Sequence, residues 1–428
     1  MKKSRLAALV IISVLALYSC EKPSFPELPG DNTEQPGDGG DDNPGSTDPT
    51  PEPEKPGGYD PYGDNGGKIP VIYINTPSAA PVDKKEWVEK ATISLVYPDG
   101  TLEDLGKTKI KLRGNSTFFY PKKSYNIKLE KKASLVNMPK DKSWCLLAQW
   151  MDKTMLRNDV SFEIAKRTRS IGWTPRGEFV ELVLNDTPLG AYYLCEKIKM
   201  ADHRVMAAKD GYILELDTYY DEKYRFHSAQ LGLPVMLKEP DEEDITADFF
   251  EGVKTFFNTT EAMVCTANYD NYRDRADMDS FIDWFFVHEL SGNYESGHPK
   301  STYMHLAPDG KLHAGPVWDF DWDTYNPDRK VFALNKSIWF KYFLDDPVFV
   351  ERMKEKWVEE LTDFITIPDY IDLRSVHISS VAKANFHQWP ITQTVNGDEN
   401  MSWEDAVQRM KTAYIDRVNR LNSVIAQL

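Results

Sequence analysis

Residues 21–68 set the first limit on this fold, because they cannot join a hydrophobic core. The segment holds ten of the chain's 27 prolines, many glycines and aspartates, and almost no aliphatic side chains. Such a sequence buries too little apolar surface to offset its conformational entropy, so disorder is expected there. Twelve Asp and Glu against three Lys give it a net charge of −9, and a proline-rich, self-repelling chain stays extended. The segment reads as an acidic tether, which leaves residues 69–428 to fold.

Ahead of the tether, Lys2, Lys3 and Arg5 precede an apolar run from Leu6 to Leu17. That run has the length of a signal peptide and is too short for a stable membrane span. It closes on Leu17-Tyr-Ser-Cys20, which resembles a bacterial lipobox with Cys20 as the residue lipidated after cleavage. An ordinary signal peptide with an incidental Cys20 is the alternative. Residues 1–20 are read as a lipoprotein signal peptide, and the expected location is the bacterial cell envelope, on the outer membrane or the cell surface. No later segment is apolar enough to span a bilayer.

The chain carries −16 in total. Removing the +3 of residues 1–20 and the −9 of the tether leaves −10 on residues 69–428. An acidic body lacks the basic footprint that nucleic-acid binding requires. Cys145, Cys195 and Cys265 make no disulfide framework and no CxxC zinc pair. One bridge with a free thiol, or three buried thiols, both fit.

The folding part begins with strands. Residues 69–75 and 91–97 are β-rich runs ended by Thr76-Pro77-Ser78 and by Pro98-Asp99-Gly100. Two strongly alternating runs follow. Ile110 and Leu112 face opposite to Lys109, Lys111 and Arg113, and Tyr125, Ile127 and Leu129 face opposite to Lys128. The small-residue loop from Gly114 to Lys123 between them can approach an anion with its backbone N–H groups. Taken alone, a solvated basic face explains this hairpin better. Trp144 to Ala148, Gly177 to Val183, Gly190 to Lys197 and Gly211 to Leu216 continue the strand pattern, with Glu196, Glu215 and Asp217 at strand ends.

Helices dominate later. Asp152 or Thr154 is placed to cap a helix reaching about Arg169, and residues 246–257 read as amphipathic. Met278 to Leu290 is more apolar and carries His288, read as a satisfied core histidine. Gly292 breaks that helix and delivers Asn293 and Glu295 onto a loop. A hairpin around Pro308-Asp309-Gly310 leads into Trp318-Asp-Phe-Asp-Trp322. In an extended chain Asp319 and Asp321 share one face and Phe320 takes the other. Two carboxylates so close repel each other unless a cation joins them, and a hard divalent ion such as Mg2+ is the natural partner. Solvated acids on an edge strand are the alternative, although the three aromatics favour burial. Asp346-Pro347 and Ser402-Trp-Glu-Asp405 open further helices as caps.

Five motifs in order resemble the CotH family of atypical, spore-coat-protein-H-like protein kinases. They are Leu112-Arg-Gly-Asn-Ser116 with Pro121-Lys-Lys-Ser-Tyr125-Asn-Ile-Lys-Leu129; Trp144-Cys-Leu-Leu-Ala148 with Asp152-Lys-Thr-Met-Leu-Arg-Asn158; Glu181-Leu-Val-Leu-Asn185 with Leu189 through Ile198; Gly211-Tyr-Ile-Leu-Glu-Leu-Asp217; and Gly315-Pro-Val-Trp-Asp319-Phe-Asp-Trp322. The resemblance implies an α+β, distant protein-kinase-like fold, mostly antiparallel β in its N-terminal part and helical in its C-terminal part. It implies a kinase-like domain over residues 69–340, with residues 341–428 as a helical extension packed on the same body. It also implies ATP with Mg2+ or Mn2+ and a protein substrate. Phosphoryl transfer needs cations over phosphate, carboxylates or an Asn on metal, and a base near the acceptor hydroxyl. Arg113, Asn115, Lys123 and Lys128 are expected to meet phosphate, with Glu196 partnering one cation. Asp319 and Asp321, assisted by Asn293, are expected to hold metal, and Glu295 to act as base. The family loop carries Asp where this chain has Glu295, and Trp322-Asp-Thr-Tyr325 lacks the expected Phe/Tyr-Gly. The competing expectation is a non-catalytic surface or adhesion module that keeps the fold.

Overall fold

A computed structural model describes residues 69–297, 299–391 and 395–428. The expectations for the signal peptide, Cys20 and the tether lie outside these residues. The protein is a mixed α+β fold whose N-terminal part is a closed β-barrel. Its strands are β1 (Val71–Asn75), β2 (Val88–Val96), β3 (Leu102–Leu112), β4 (Tyr125–Ala133), β5 (Asp141–Leu147), β6 (Gly177–Leu184) and β7 (Thr187–Glu196). The order around the barrel is β1-β2-β3-β4-β5-β7-β6. Neighbours run antiparallel except at the closure, where β1 lies parallel to β6 with Ile72 opposite Leu182. The period-two pattern explains the filling: Ile72, Ile93, Ile110, Leu112, Ile127, Leu129, Trp144 and Leu182 all bury into one cluster, while Lys128 and Glu130 stay exposed.

A second sheet has the order β12-β11-β8-β10-β9, built from β8 (Ile213–Leu216), β9 (Arg225–His227), β10 (Pro234–Glu239), β11 (Thr302–Leu306) and β12 (Leu312–Ala314). The helices are α1 (Arg157–Arg167), α2 (Ala247–Cys265), α3 (Tyr269–Arg273), α4 (Met278–Ser291), α5 (Phe340–Phe343), α6 (Pro347–Phe364), α7 (Ile367–Gln388) and α8 (Trp403–Ile425). α4 is central: Asp277 caps it by accepting from the Ser280 N–H, and every residue from Ser280 to Ser291 is buried. Its Phe281 stacks on Trp339, and Phe286 packs edge-on against Trp357 and Phe364. The caps at Asp346 and Ser402 form as their sequences predict, each side chain accepting a backbone N–H of the first turn.

α1 starts later than its candidate caps suggest. Asp152 and Thr154 do reach it, accepting from the N–H groups of Arg157 and Leu156 at 2.9 and 3.1 Å, but from a buried turn ahead of the helix. The reason is Arg157, whose guanidinium draws Asp152 into a fully buried ion pair. Among the described residues, no helix is long and apolar enough to cross a membrane.

Candidate active site

Four chain segments converge on one cleft of about 270 Å3. β3 ends at Leu112 and is followed by Arg113-Gly114, whose loop supplies Asn115, Ser116 and Thr117 to the rim. Gly114 adopts φ +89°, and a Cβ there would sit 1.7 Å from the Thr117 hydroxyl oxygen, so only glycine allows the loop to fold this tightly. The Arg113 guanidinium lies 5.2 Å over the ring of Trp318, pinning the barrel to the acidic segment. β8 contributes Glu215 and, just beyond its end, Asp217. α4 ends at Gly292 in the left-handed conformation, φ 70°, and the following loop brings Glu295 to the cleft.

The fourth segment is Trp318–Trp322, and it is not the extended strand its alternation suggests. Asp319 has φ +66°, so the backbone turns there. Asp319 and Asp321 still line the same cleft, because Phe320 between them is buried against Phe162 and His288. Burial of that ring, with the Phe320 N–H donated to Asn158 Oδ1 at 2.9 Å, holds the turn. Ser301 ties two acids together, donating its N–H to Asp217 Oδ2 at 3.1 Å and its hydroxyl to Asp319 Oδ2 at 3.3 Å.

This crowding raises the acids' proton affinity. Glu295 is pushed up to about 8, first by desolvation and then by the charges of Asp319, Asp217 and Asp323, against Lys300. Asp321 is raised well above the usual carboxylate range by burial, then by Asp319, Asp152 and Glu295. Raised acids are protonated in the folded state, so their contribution to stability is present below the ordinary carboxylate range and is lost as pH rises toward 8. In chelator, the melting temperature should therefore fall by several degrees between pH 5 and 8, and Mg2+ should flatten that slope. A slope unchanged by Mg2+ in thermal melts would show that these acids hold no such ion.

A second cavity of about 310 Å3 adjoins the cleft, sharing Arg113, Gly114 and Trp318. It is lined by Lys85, Lys111, Lys197 and Lys238. Burial and then the neighbouring Lys197, Lys109 and Lys85 lower the Lys111 ammonium below its usual range. Cations so gathered suit a polyanion. Lys238 also contacts Glu215 at 3.1 Å and is bonded to Glu222.

The expected site residues separate accordingly. Arg113, Asn115, Glu295, Asp319 and Asp321 meet in the cleft. The Asn293 amide is used within the protein: its Nδ2 donates to the Asp319 carbonyl at 2.9 Å, and its Oδ1 accepts from the Glu295 N–H at 3.1 Å. It sets the two acids in place. Lys123 turns onto the Phe118 carbonyl at 2.7 Å, and Lys128 lies on the exposed face of β4. Its neighbour Lys122 points inward, bonded to the carbonyls of Ala148 and Ala191 and to Asn385 Oδ1, and burial lowers it to about 7. Glu196 is buried against Arg176, which grips it at 2.8 and 2.9 Å, with Arg204 3.9 Å away. His288 is a core residue, stacked 3.9 Å from Trp284, but among the described residues neither ring nitrogen has a hydrogen-bond partner. Among the described residues the three cysteines, Cys145, Cys195 and Cys265, are free thiols, with Cys145 and Cys195 buried and opposite each other on β5 and β7.

Sequence reasoning missed Lys85, Lys197 and Lys238 as cations of the second cavity. Lys111 was legible as a basic strand position but not as one that faces the cavity. Lys238 sits on β10, a strand without a clear alternating signature. Glu215 and Asp217 were visible only as acids at a strand end.

No curated protein matches the chain significantly. A family model, CotH kinase protein, matches residues 110–421, a span that contains Lys111, Lys197 and Lys238 of the cation-lined cavity, though not Lys85, and all the acids of the cleft. With that match over most of its length, the chain belongs to the CotH kinase family.

Proposed function

We propose that this protein is an envelope-anchored kinase on a distant protein-kinase-like fold, transferring the γ-phosphate of ATP to Ser or Thr hydroxyls of a protein. The observation that carries this reading is the junction at Arg113 of a lysine-lined cavity with a cleft of clustered carboxylates. The donor set fits Mg2+ or Mn2+: Asp319 and Asp321 offer only hard oxygen ligands, and their mutual repulsion is relieved by a divalent ion. Such an ion neutralises charge on the transferring phosphate.

The protein's own groups divide the remaining work. Lys85, Lys111, Lys197 and Arg113 hold the polyphosphate, and the tight turn at Gly114 lets backbone N–H groups approach it. Asn293 fixes the spacing of Asp319 and Glu295. The acceptor oxygen bonds to the γ-phosphorus as the bond to the β-phosphate oxygen breaks, and its proton passes to the Glu295 carboxylate. To take that proton Glu295 must be ionised, and a divalent ion held by Asp319 and Asp321 would offset the neighbouring negative charge that keeps it protonated in the metal-free cleft. A carboxylate titrating near the working pH is then a better base than an ordinary one.

A non-catalytic surface module is favoured by one observation, that the Asn293 amide is already occupied and is not turned to the cleft. Calorimetry of the purified full chain separates the readings. ATP should bind with Mg2+ or Mn2+ and not in chelator, and labelled γ-phosphate should pass to the protein or to a Ser-rich peptide. Glu295→Gln should keep binding and lose about 10^2- to 10^4-fold in transfer. No nucleotide binding with either metal sinks the kinase; binding without transfer supports the surface module. Anchoring rests on Cys20, and Cys20→Ala should move the protein from the membrane fraction to the soluble one; retention in the membrane would exclude a lipid anchor there.

A further inference from the structure

A second group of ligating side chains gathers at the opposite end of α4 from Asn293. His305 and His313 stand directly opposite each other on β11 and β12, with ring centroids 5.6 Å apart. Directly paired residues on one face of an antiparallel pair have Cβ atoms about 5 Å apart, close enough to share a ligand. Asp309, in the turn of the same hairpin, places Oδ2 3.0 Å from His313 Nε2. Asp277, the cap of α4, places Oδ1 3.8 Å from His313 Nδ1. One ligand atom from each of Asp277, Asp309 and His313 lies within 4.8 Å of the others.

His305 supplies an independent pointer. It is only 6% exposed, and its Nδ1 lies 3.0 Å from the Gly315 carbonyl. That contact puts the proton on Nδ1 and leaves Nε2 a bare acceptor, which is how ligating histidines are commonly oriented by a backbone carbonyl. His305, His313 and Asp277 line one cavity, separate from the acidic cleft.

We propose that Asp277, Asp309 and His313 bind a divalent transition ion, Zn2+ first among them, with His305 beside them in the same cavity. Imidazole with carboxylate is a zinc-type donor set, unlike the all-oxygen set around Asp321. The ion clamps the β11–β12 hairpin to the start of α4. Both elements lead into the cleft, α4 through Gly292 to Glu295 and β12 through Gly315 to Asp319. The site therefore acts as a brace for the acids, independent of whether they transfer phosphate.

The test uses purified full chain stripped with chelator and titrated with Zn2+, with Co2+ as a spectroscopic probe. One tightly held Zn2+ per chain is expected, undisplaced by excess Mg2+, with a rise of several degrees in melting temperature and a visible Co2+ spectrum of histidine ligation. His313→Ala and Asp309→Asn should each weaken Zn2+ by at least tenfold. Asp309→Asn can keep the side-chain oxygen that accepts the Lys311 N–H at 3.0 Å, so its turn still folds. Asp321→Asn, in the cleft, should leave Zn2+ affinity unchanged. Equal Zn2+ binding by the wild type and both corner variants, loss of Zn2+ in Asp321→Asn, or no stoichiometric binding overturns the proposal.

Discussion

Asp321→Ala is expected to weaken metal-dependent ATP binding and phosphoryl transfer by on the order of 10^3-fold while leaving the metal-free protein at least as stable. The loss follows from removing one of two carboxylates that together attract a divalent ion, in a partly desolvated cleft where such a charge counts most. The retained stability follows from the crowding already present. Asp319, Asp152 and Glu295 all raise the Asp321 carboxyl, so deleting it relieves repulsion in the empty cleft. Its backbone anchor survives, because Asn396 Nδ2 donates to the Asp321 carbonyl at 3.0 Å and not to its side chain. Calorimetry with ATP and Mg2+, beside thermal melts in chelator, reads both effects. Unchanged affinity would remove Asp321 from the metal site, and a large drop in melting temperature would make its role structural.

The largest effect on stability is expected at Arg157. Its guanidinium bonds Asp152 on one side and Asp398 at 2.6 Å on the other, and all three side chains are fully buried. Its Nε also reaches the Thr324 carbonyl at 3.4 Å. Arg157→Ala leaves buried carboxylates without their main counter-charge, a change that costs about 3–5 kcal/mol in comparable buried pairs. Arg157→Met should rescue little, since it restores volume without charge. Urea denaturation measures the difference, and a loss below about 1 kcal/mol would show that the ion pairs are satisfied elsewhere. The same variant should disturb the cleft. Thr324 N–H donates to Asn396 Oδ1 at 3.2 Å, so Arg157 supports the turn that carries Asp321 from beneath.

Caps at Asp346 and Ser402 are local bargains between a side chain and the next turn, and they form as read. Alternation in β3 and β4 sorts buried from exposed positions correctly, since that sorting depends only on the pleat. Lys123 and Lys128 lie outside the linings of both the cleft and the cavity, for a different reason. Alternation says which face a lysine takes, but not whether that face meets a cavity or open water. Lys111 reaches the cavity because β10, Tyr303 of β11 and the Trp318 turn close over its end of the barrel, and Lys128 lies on the exposed face of β4. Glu196 was legible as a strand-end acid with a cation for a partner, yet that cation is Arg176 across the β6–β7 pair and none of Arg113, Lys123 or Lys128.

By itself the sequence determined the family and the mixed α+β class, and it singled out the acids at 295, 319 and 321, which the structure brings into one cleft. These rest on composition, local periodicity and short motifs, which the chain carries without folding. Only the tertiary structure decided the parallel closure of β1 on β6, the left-handed turn at Asp319, and the choice of Lys85, Lys111, Lys197 and Lys238 around Arg113. Each of these depends on segments far apart in the chain competing for the same space, and no local pattern records which of them wins.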